Sequence, residues 1–89
     1  CISIDPTYAA CYMNRGSMSA QSGENRTALS DYDKSIELDD GHPIAYLNRG
    51  LAYETLGDLR KACLDWAKAS SLGNTDSSDL VREQCNDSK

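Results

Sequence analysis

Apolar residues recur along this chain at spacings of three and four, as expected for helices that bury one face. Tyr46, Gly50 and Tyr53 follow this spacing. The run breaks at Gly57, and Asp58 stands where its carboxylate would cap a following helix. The pattern predicts an all-α protein with no strands. We expect five helices, near residues 7–22, 25–38, 43–56, 59–72 and 76–87.

The sequence also repeats itself after 34 residues. Aligning residues 7–40 with 41–74 gives ten identical pairs, where chance would give about two. The opening residues CISIDP align in the same way with SIELDD. The pairs are Tyr12/Tyr46, Asn14/Asn48, Arg15/Arg49, Gly16/Gly50, Gly23/Gly57, Arg26/Arg60, Ala28/Ala62, Asp31/Asp65, Lys34/Lys68 and Leu38/Leu72.

The order of small and aromatic residues resembles the tetratricopeptide repeat, a helix–turn–helix unit of about 34 residues. The resemblance implies a superhelix of stacked helical hairpins. In each hairpin a glycine such as Gly50 and an alanine such as Ala62 allow the two helices to approach closely. We therefore predict a single domain over residues 1–89. Its predicted parts are the tail of a preceding repeat at 1–6, repeats at 7–40 and 41–74, and a capping helix within 75–89.

Several positions depart from the family pattern, mainly in the first repeat. Tyr12 and Tyr46 stand where the family has tryptophan. Arg15 and Arg49 replace its leucine, and Ser19 replaces an aromatic residue. These departures leave the fold prediction unchanged.

Composition narrows the classes of partner. The 89 residues carry 14 acids and nine bases, a net charge of −5, which argues against binding nucleic acid or an anionic membrane. No apolar run reaches the roughly 18 residues of a membrane-spanning helix. Because the sequence opens on Cys1 and a partial repeat, we expect it to be a piece of a longer protein. The residues predict no particular compartment.

Few residues are suited to catalysis or metal binding. The four cysteines are separated by 10, 52 and 22 residues, whereas zinc sites need close pairs. His42, the one histidine, lies in a turn with no cysteine nearby in sequence. We therefore predict no enzymatic activity, no metal and no cofactor.

The resemblance brings Cys63 and Cys85 together. In this repeat geometry, the residue after Ala62 points toward the following helix. On that helix, predicted to be capped by Asp76, Val81 and Cys85 are four residues apart and share one face. We expect neighbouring sulfurs and favour two reduced thiols over a disulfide, which needs α-carbons within about 7 Å. No pairing is predicted for the other two cysteines.

The resemblance also implies a binding surface on the concave side, which the first helix of each repeat lines. Its mixture of apolar and amide side chains suits an extended peptide or a helix. Asn14 and Asn48 could hold a peptide backbone by donating and accepting together. The predicted residues are Met13, Asn14, Ser17, Gln21, Leu47, Asn48, Leu51, Glu54, Thr55 and Arg82.

A more specific hypothesis is a clamp for the C-terminal carboxylate of a peptide, as in the tetratricopeptide repeats of cochaperones. The pair Asn48-Arg49 and the later Arg82 match such a clamp. Met13 and Ser17, however, stand where it has lysine and asparagine, and its second lysine corresponds to a serine here. Since most of the charge that holds a carboxylate is missing, the clamp is not favoured.

The sequence thus leads to three hypotheses of function. The leading one is a non-catalytic module that binds a protein or peptide partner on its concave face. The second is a structural or self-assembly segment that pairs with copies of itself through an exposed repeat end. The third is a regulatory appendage of an enzyme encoded elsewhere in the full chain.

Overall fold

In the computed structural model, residues 9–85 are described, and this part of the chain contains five α-helices and no strand. The all-α prediction is confirmed. The predicted tail at 1–6, the start of the first helix and the end of the fifth at 86–87 lie outside the described residues. The helices are α1 Ala9–Gln21, α2 Asn25–Leu38, α3 Pro43–Thr55, α4 Leu59–Ser71 and α5 Thr75–Leu80, which continues as a π-helical turn at Val81–Cys85.

Glycine ends three of these helices. Gly57, which follows α3, has a φ of 91°, a conformation that costs glycine nothing and other residues about 1–2 kcal/mol. This turn lets the N–H of Asp58 donate to the carbonyl of Tyr53 at 2.9 Å, as in a Schellman motif. Gly23 and Gly73 end α1 and α4 in the same way. The predicted breaks after the first helix of each repeat are therefore correct.

The N-terminal cap of α4 agrees with the prediction from the sequence, whereas the N-terminal cap of α5 differs from it. The carboxylate of Asp58 accepts a hydrogen bond from the backbone N–H of Lys61 at 3.2 Å, as predicted. The fifth helix, however, is capped by Asn74, whose side chain accepts from the N–H of Ser77 at 2.7 Å. Asp76 lies in the first turn instead. The predicted Asp76 cap is wrong because the helix begins earlier, directly after the turn at Gly73.

The helices form two hairpins, α1 with α2 and α3 with α4, and each helix packs mainly against its neighbours in sequence. The resulting body measures 47 × 26 × 16 Å. Within residues 9–85, no helix combines the length and apolar character required to span a bilayer.

Small residues bring the helices of each hairpin into close contact. A Cβ built on Gly50 would lie 2.5 Å from Nε1 of Trp66, closer than van der Waals contact allows. A Cβ on Gly16 would likewise lie 2.8 Å from Cε1 of Tyr32. Trp66 and Tyr32 are both buried, so neither ring has free space to move into. The 34-residue repeat therefore gives both hairpins the same contact between a glycine and an aromatic ring.

Replacing Gly50 with leucine is expected to destabilise the protein by about 2 kcal/mol, since the new side chain must displace the buried Trp66. Urea unfolding followed by circular dichroism measures the change. Gly41→Leu is the matched control, because a Cβ at Gly41 meets only Oδ1 of Asp39, at 3.7 Å. A Gly50 variant no less stable than the Gly41 variant would contradict the observed packing.

The structure also joins two distant cysteines. Cys63 on α4 and Cys85 on the π-helical turn form a disulfide with a Cα–Cα distance of 5.9 Å. The predicted proximity is confirmed, but the preference for reduced thiols is wrong, because the α-carbons lie within bonding range. Cys11 is also disulfide-bonded, although its spacing predicted no partner. No cysteine among residues 9–85 is a free thiol.

Candidate functional site

A groove with a volume of about 320 Å³ lies between α1, α2 and α3. It follows the C-terminal halves of α1 and α3, the first helices of the two hairpins. Half of the ten residues predicted from the sequence line it. They are Ser17, Gln21, Asn48, Leu51 and Thr55.

Four further lining residues were not predicted. Ala20 and Ala52 are small residues on α1 and α3, whereas Asn25 and Tyr32 belong to α2. The family resemblance implies a concave surface built from the first helix of each repeat, and α2 is a second helix. The alignment of Tyr32 with Trp66 was the available signal, because it predicts a buried ring against Gly16 within the first hairpin, and this ring also clusters with Ala52 of α3.

The other five predicted residues lie outside the groove. Met13 packs against the buried cluster of Ala28, Tyr32 and Ala52 instead. Leu47 is partly buried, and Asn14 and Glu54 are exposed. Arg82 is exposed on the π-helical turn and pairs with Asp79.

Hydrogen bonds fix the polar side of the groove. Ser17 Oγ accepts from the hydroxyl of Tyr32 at 3.4 Å and from Nδ2 of Asn48 at 3.3 Å. The Thr55 hydroxyl donates to the carbonyl of Leu51 at 3.0 Å. An amide side chain has two donors and one acceptor, so Asn48 retains one N–H and its carbonyl oxygen for a ligand. Asn48 is therefore held in one orientation with hydrogen-bonding capacity to spare.

The arginines of α1 and α3 form ion pairs with aspartates on the second helix of each hairpin. They do not line the groove. Arg15 donates to both carboxylate oxygens of Asp31, at 2.9 and 2.6 Å. Arg49 does the same to Asp65, at 2.8 Å for both bonds. It also donates to Asp33 of α2 at 2.8 Å, which links the two hairpins. These pairs explain the arginines that replace the leucine of the family pattern.

The aspartates also raise the pKa of both arginines. The hydrogen bond and charge of Asp65 raise the pKa of Arg49 above its ordinary value, although burial acts in the opposite direction. Asp31 raises the pKa of Arg15 for the same reason. Arg49, one of the residues matched to a carboxylate clamp, is therefore a permanent cation already bound to two carboxylates.

The groove is uncharged, since none of its lining residues among the described positions 9–85 is acidic or basic. In the same part of the chain, no three histidine, cysteine, aspartate or glutamate side chains cluster as a metal site would require. The groove offers hydrogen bonds from amides and hydroxyls, and an apolar surface at Leu51 and Ala20.

Comparisons with known proteins point to one family. Two sequence models described as tetratricopeptide repeat match residues 9–42 and 31–63. No curated protein matches the chain.

Solved structures give the same result. The first TPR of Spaghetti (RPAP3), bound to the HSP90 peptide SRMEEVD, is similar with a TM-score of 0.85 and 25% identity over 92% of this chain and 67% of that chain. A crystal structure of MamA is similar with a TM-score of 0.76 and 30% identity over 86% of this chain and 45% of that one. A second MamA structure has a TM-score of 0.72 and 28% identity over 93% of this chain and 43% of the other. The chain thus spans less than half of either MamA chain.

Proposed function

The chain belongs to the tetratricopeptide repeat family, and we propose that it binds an extended peptide segment of a partner protein in the groove between α1, α2 and α3. Repeats of this family typically serve as non-catalytic interaction modules. A similar structure, the first TPR of Spaghetti (RPAP3), is bound to a peptide. Both facts support a peptide ligand.

The observation that carries the proposal is the oriented amide of Asn48 beside the exposed side chain of Leu51. Asn48 is fixed through Ser17 and retains one donor and one acceptor, the same pair of groups that each peptide unit presents. Leu51 is 40% exposed, which gives an apolar ligand side chain a surface to cover. The groove volume lies at the lower end of the range of ligand sites, so a short segment suffices to fill it.

Asn48→Ala is expected to weaken peptide binding about fivefold to tenfold through the loss of a hydrogen bond to the peptide backbone. The probe is a peptide selected from a random displayed library on the wild-type chain, and its affinity is measured by fluorescence polarisation. Asn14→Ala is the matched control, since Asn14 occupies the equivalent position of the first repeat and lies outside the groove.

The two variants distinguish the groove from the wider concave face. An effect of Asn48→Ala alone supports the groove. Equal effects at both positions would extend the contact surface to the whole predicted set. No effect at either position, with a peptide that binds, would place the ligand elsewhere and overturn the proposal.

Self-assembly is the alternative function, and exposed apolar side chains favour it. Met18 is 68% exposed and Leu64 66% exposed, and both lie outside the groove lining. Size-exclusion chromatography with light scattering separates the two functions. A mass near 9.7 kDa at all concentrations would mean a monomer and would count against self-assembly.

A further inference from the structure

We propose that the groove selects uncharged, internal peptide segments and rejects acidic segments and free C-terminal carboxylates. This inference rests on the proposed function, because it specifies the ligand of the same groove. It follows from the lack of charged side chains in the groove lining within residues 9–85 and from the ion pairs that engage the arginines of α1 and α3 elsewhere.

The lining supplies no counter-charge for a carboxylate. Amides and hydroxyls make up its polar part, and among residues 9–85 no lysine or arginine belongs to it. The nearest arginines along α1 and α3 are engaged elsewhere, Arg15 with Asp31 and Arg49 with Asp65 and Asp33. Redirecting Arg49 toward a ligand would leave the buried Asp65 without its partner.

A carboxylate that enters the groove therefore loses hydration without gaining a cation from the lining residues. Burial of an unpaired charge is far more costly than burial of a hydrogen-bonded amide. The net charge of −5 adds a general repulsion of anions. The heptapeptide SRMEEVD, bound by the similar structure, carries three acidic side chains, which this groove has no groups to neutralise.

An uncharged peptide segment matches the side chains that line the groove. Gln21, Asn25 and Asn48 can each donate to and accept from a peptide backbone. Leu51 and the neighbouring Ala20 form an apolar surface for an aliphatic side chain. Because none of these contacts needs a chain terminus, a segment inside a longer partner fits, whereas a free C-terminus would add a carboxylate that the lining does not neutralise.

The test is a selection of random heptapeptides displayed between constant flanking sequences, with the complete chain as bait. We expect aspartate and glutamate to fall at least about threefold below their input frequency in the selected pool. The affinity of a selected peptide should change by less than about twofold between roughly 0.05 and 0.5 M salt.

The charge-adding variant is Gln21→Lys combined with Thr55→Lys. Both side chains are exposed at the rim of the groove, so the fold should tolerate the change. Selection on this variant should enrich acidic peptides. Asn14→Lys places a lysine outside the groove and should select the same pool as the wild type.

The possible outcomes separate this inference from the proposed function, peptide binding in the groove. Uncharged pools for the wild type and acidic pools for the double-lysine variant support it. Acidic peptides enriched by the wild type would overturn the inference and leave groove binding intact. Identical pools for the wild type and the double-lysine variant would place the peptide outside the groove and overturn both proposals. No enrichment of any peptide by the wild type would contradict both proposals.

Discussion

Replacing Arg49 with leucine is expected to destabilise the protein by about 3 kcal/mol, although leucine is the residue that the family pattern has at this position. The reason is Asp65, whose side chain is 8% exposed and whose two oxygens both accept hydrogen bonds from Arg49. Without the guanidinium, the buried carboxylate of Asp65 loses the donor that both of its oxygens share. The contact between Arg49 and Asp33, which joins the hairpins, is lost as well.

Urea unfolding measures this loss, and two further variants identify its cause. Arg15→Leu also leaves a buried carboxylate, since the side chain of Asp31 is 6% exposed, and should cost less only because Arg15, among residues 9–85, pairs with Asp31 alone and joins no second hairpin. Combining Arg49→Leu with Asp65→Leu should recover most of the stability, because an apolar pair can replace a buried ion pair at little cost. If the double variant were as unstable as Arg49→Leu, the unpaired carboxylate would not be the cause.

The architecture could be predicted because every local signal favours the same structure. The 34-residue period, the glycine breaks and the apolar spacing each predict the same helices. Gly50 and Trp66 illustrate this agreement, since the residue that permits close approach and the residue that fills the space recur together in both repeats.

The groove was harder to predict, because it forms between helices of different repeats. Asn25 and Tyr32 reach it from α2, and their part depends on how the hairpins are tilted, which a residue pattern does not contain. Met13 follows the concave pattern, yet it packs against the core.

The arginines show a different limit of sequence reasoning. Position by position, Arg15 and Arg49 are only departures from the family pattern. Each has an aspartate 16 residues later in the sequence, and the pair is repeated at the same offset as the rest of the unit. Taken together, the two positions predict the ion pairs.

The redox state of the cysteines could not be predicted from the sequence, since it depends on the compartment as well as on the spacing of the cysteines.

Removing the disulfide between Cys63 and Cys85 is expected to cost about 3 kcal/mol, because the bond closes a loop between residues 22 apart in the sequence. The loss should be concentrated at the end of the chain. α5 has six residues and buries only Ser77, and a helix this short is not stable without tertiary contacts. The bond attaches the π-helical turn that follows α5 to α4, and so holds the last helix in place.

The test uses Cys63→Ser combined with Cys85→Ser rather than a reductant, because reduction would also open the disulfide of Cys11. Hydrogen exchange should rise strongly in residues 75–85 of this variant and little in α1 to α3. Since α1, α2 and α3 supply all of the groove lining among residues 9–85, the affinity for a selected peptide should stay within about twofold of wild type. Unchanged protection of α5 would mean that packing alone holds the last helix. A large loss of peptide affinity would mean that the fifth helix supports the groove through contacts beyond α4.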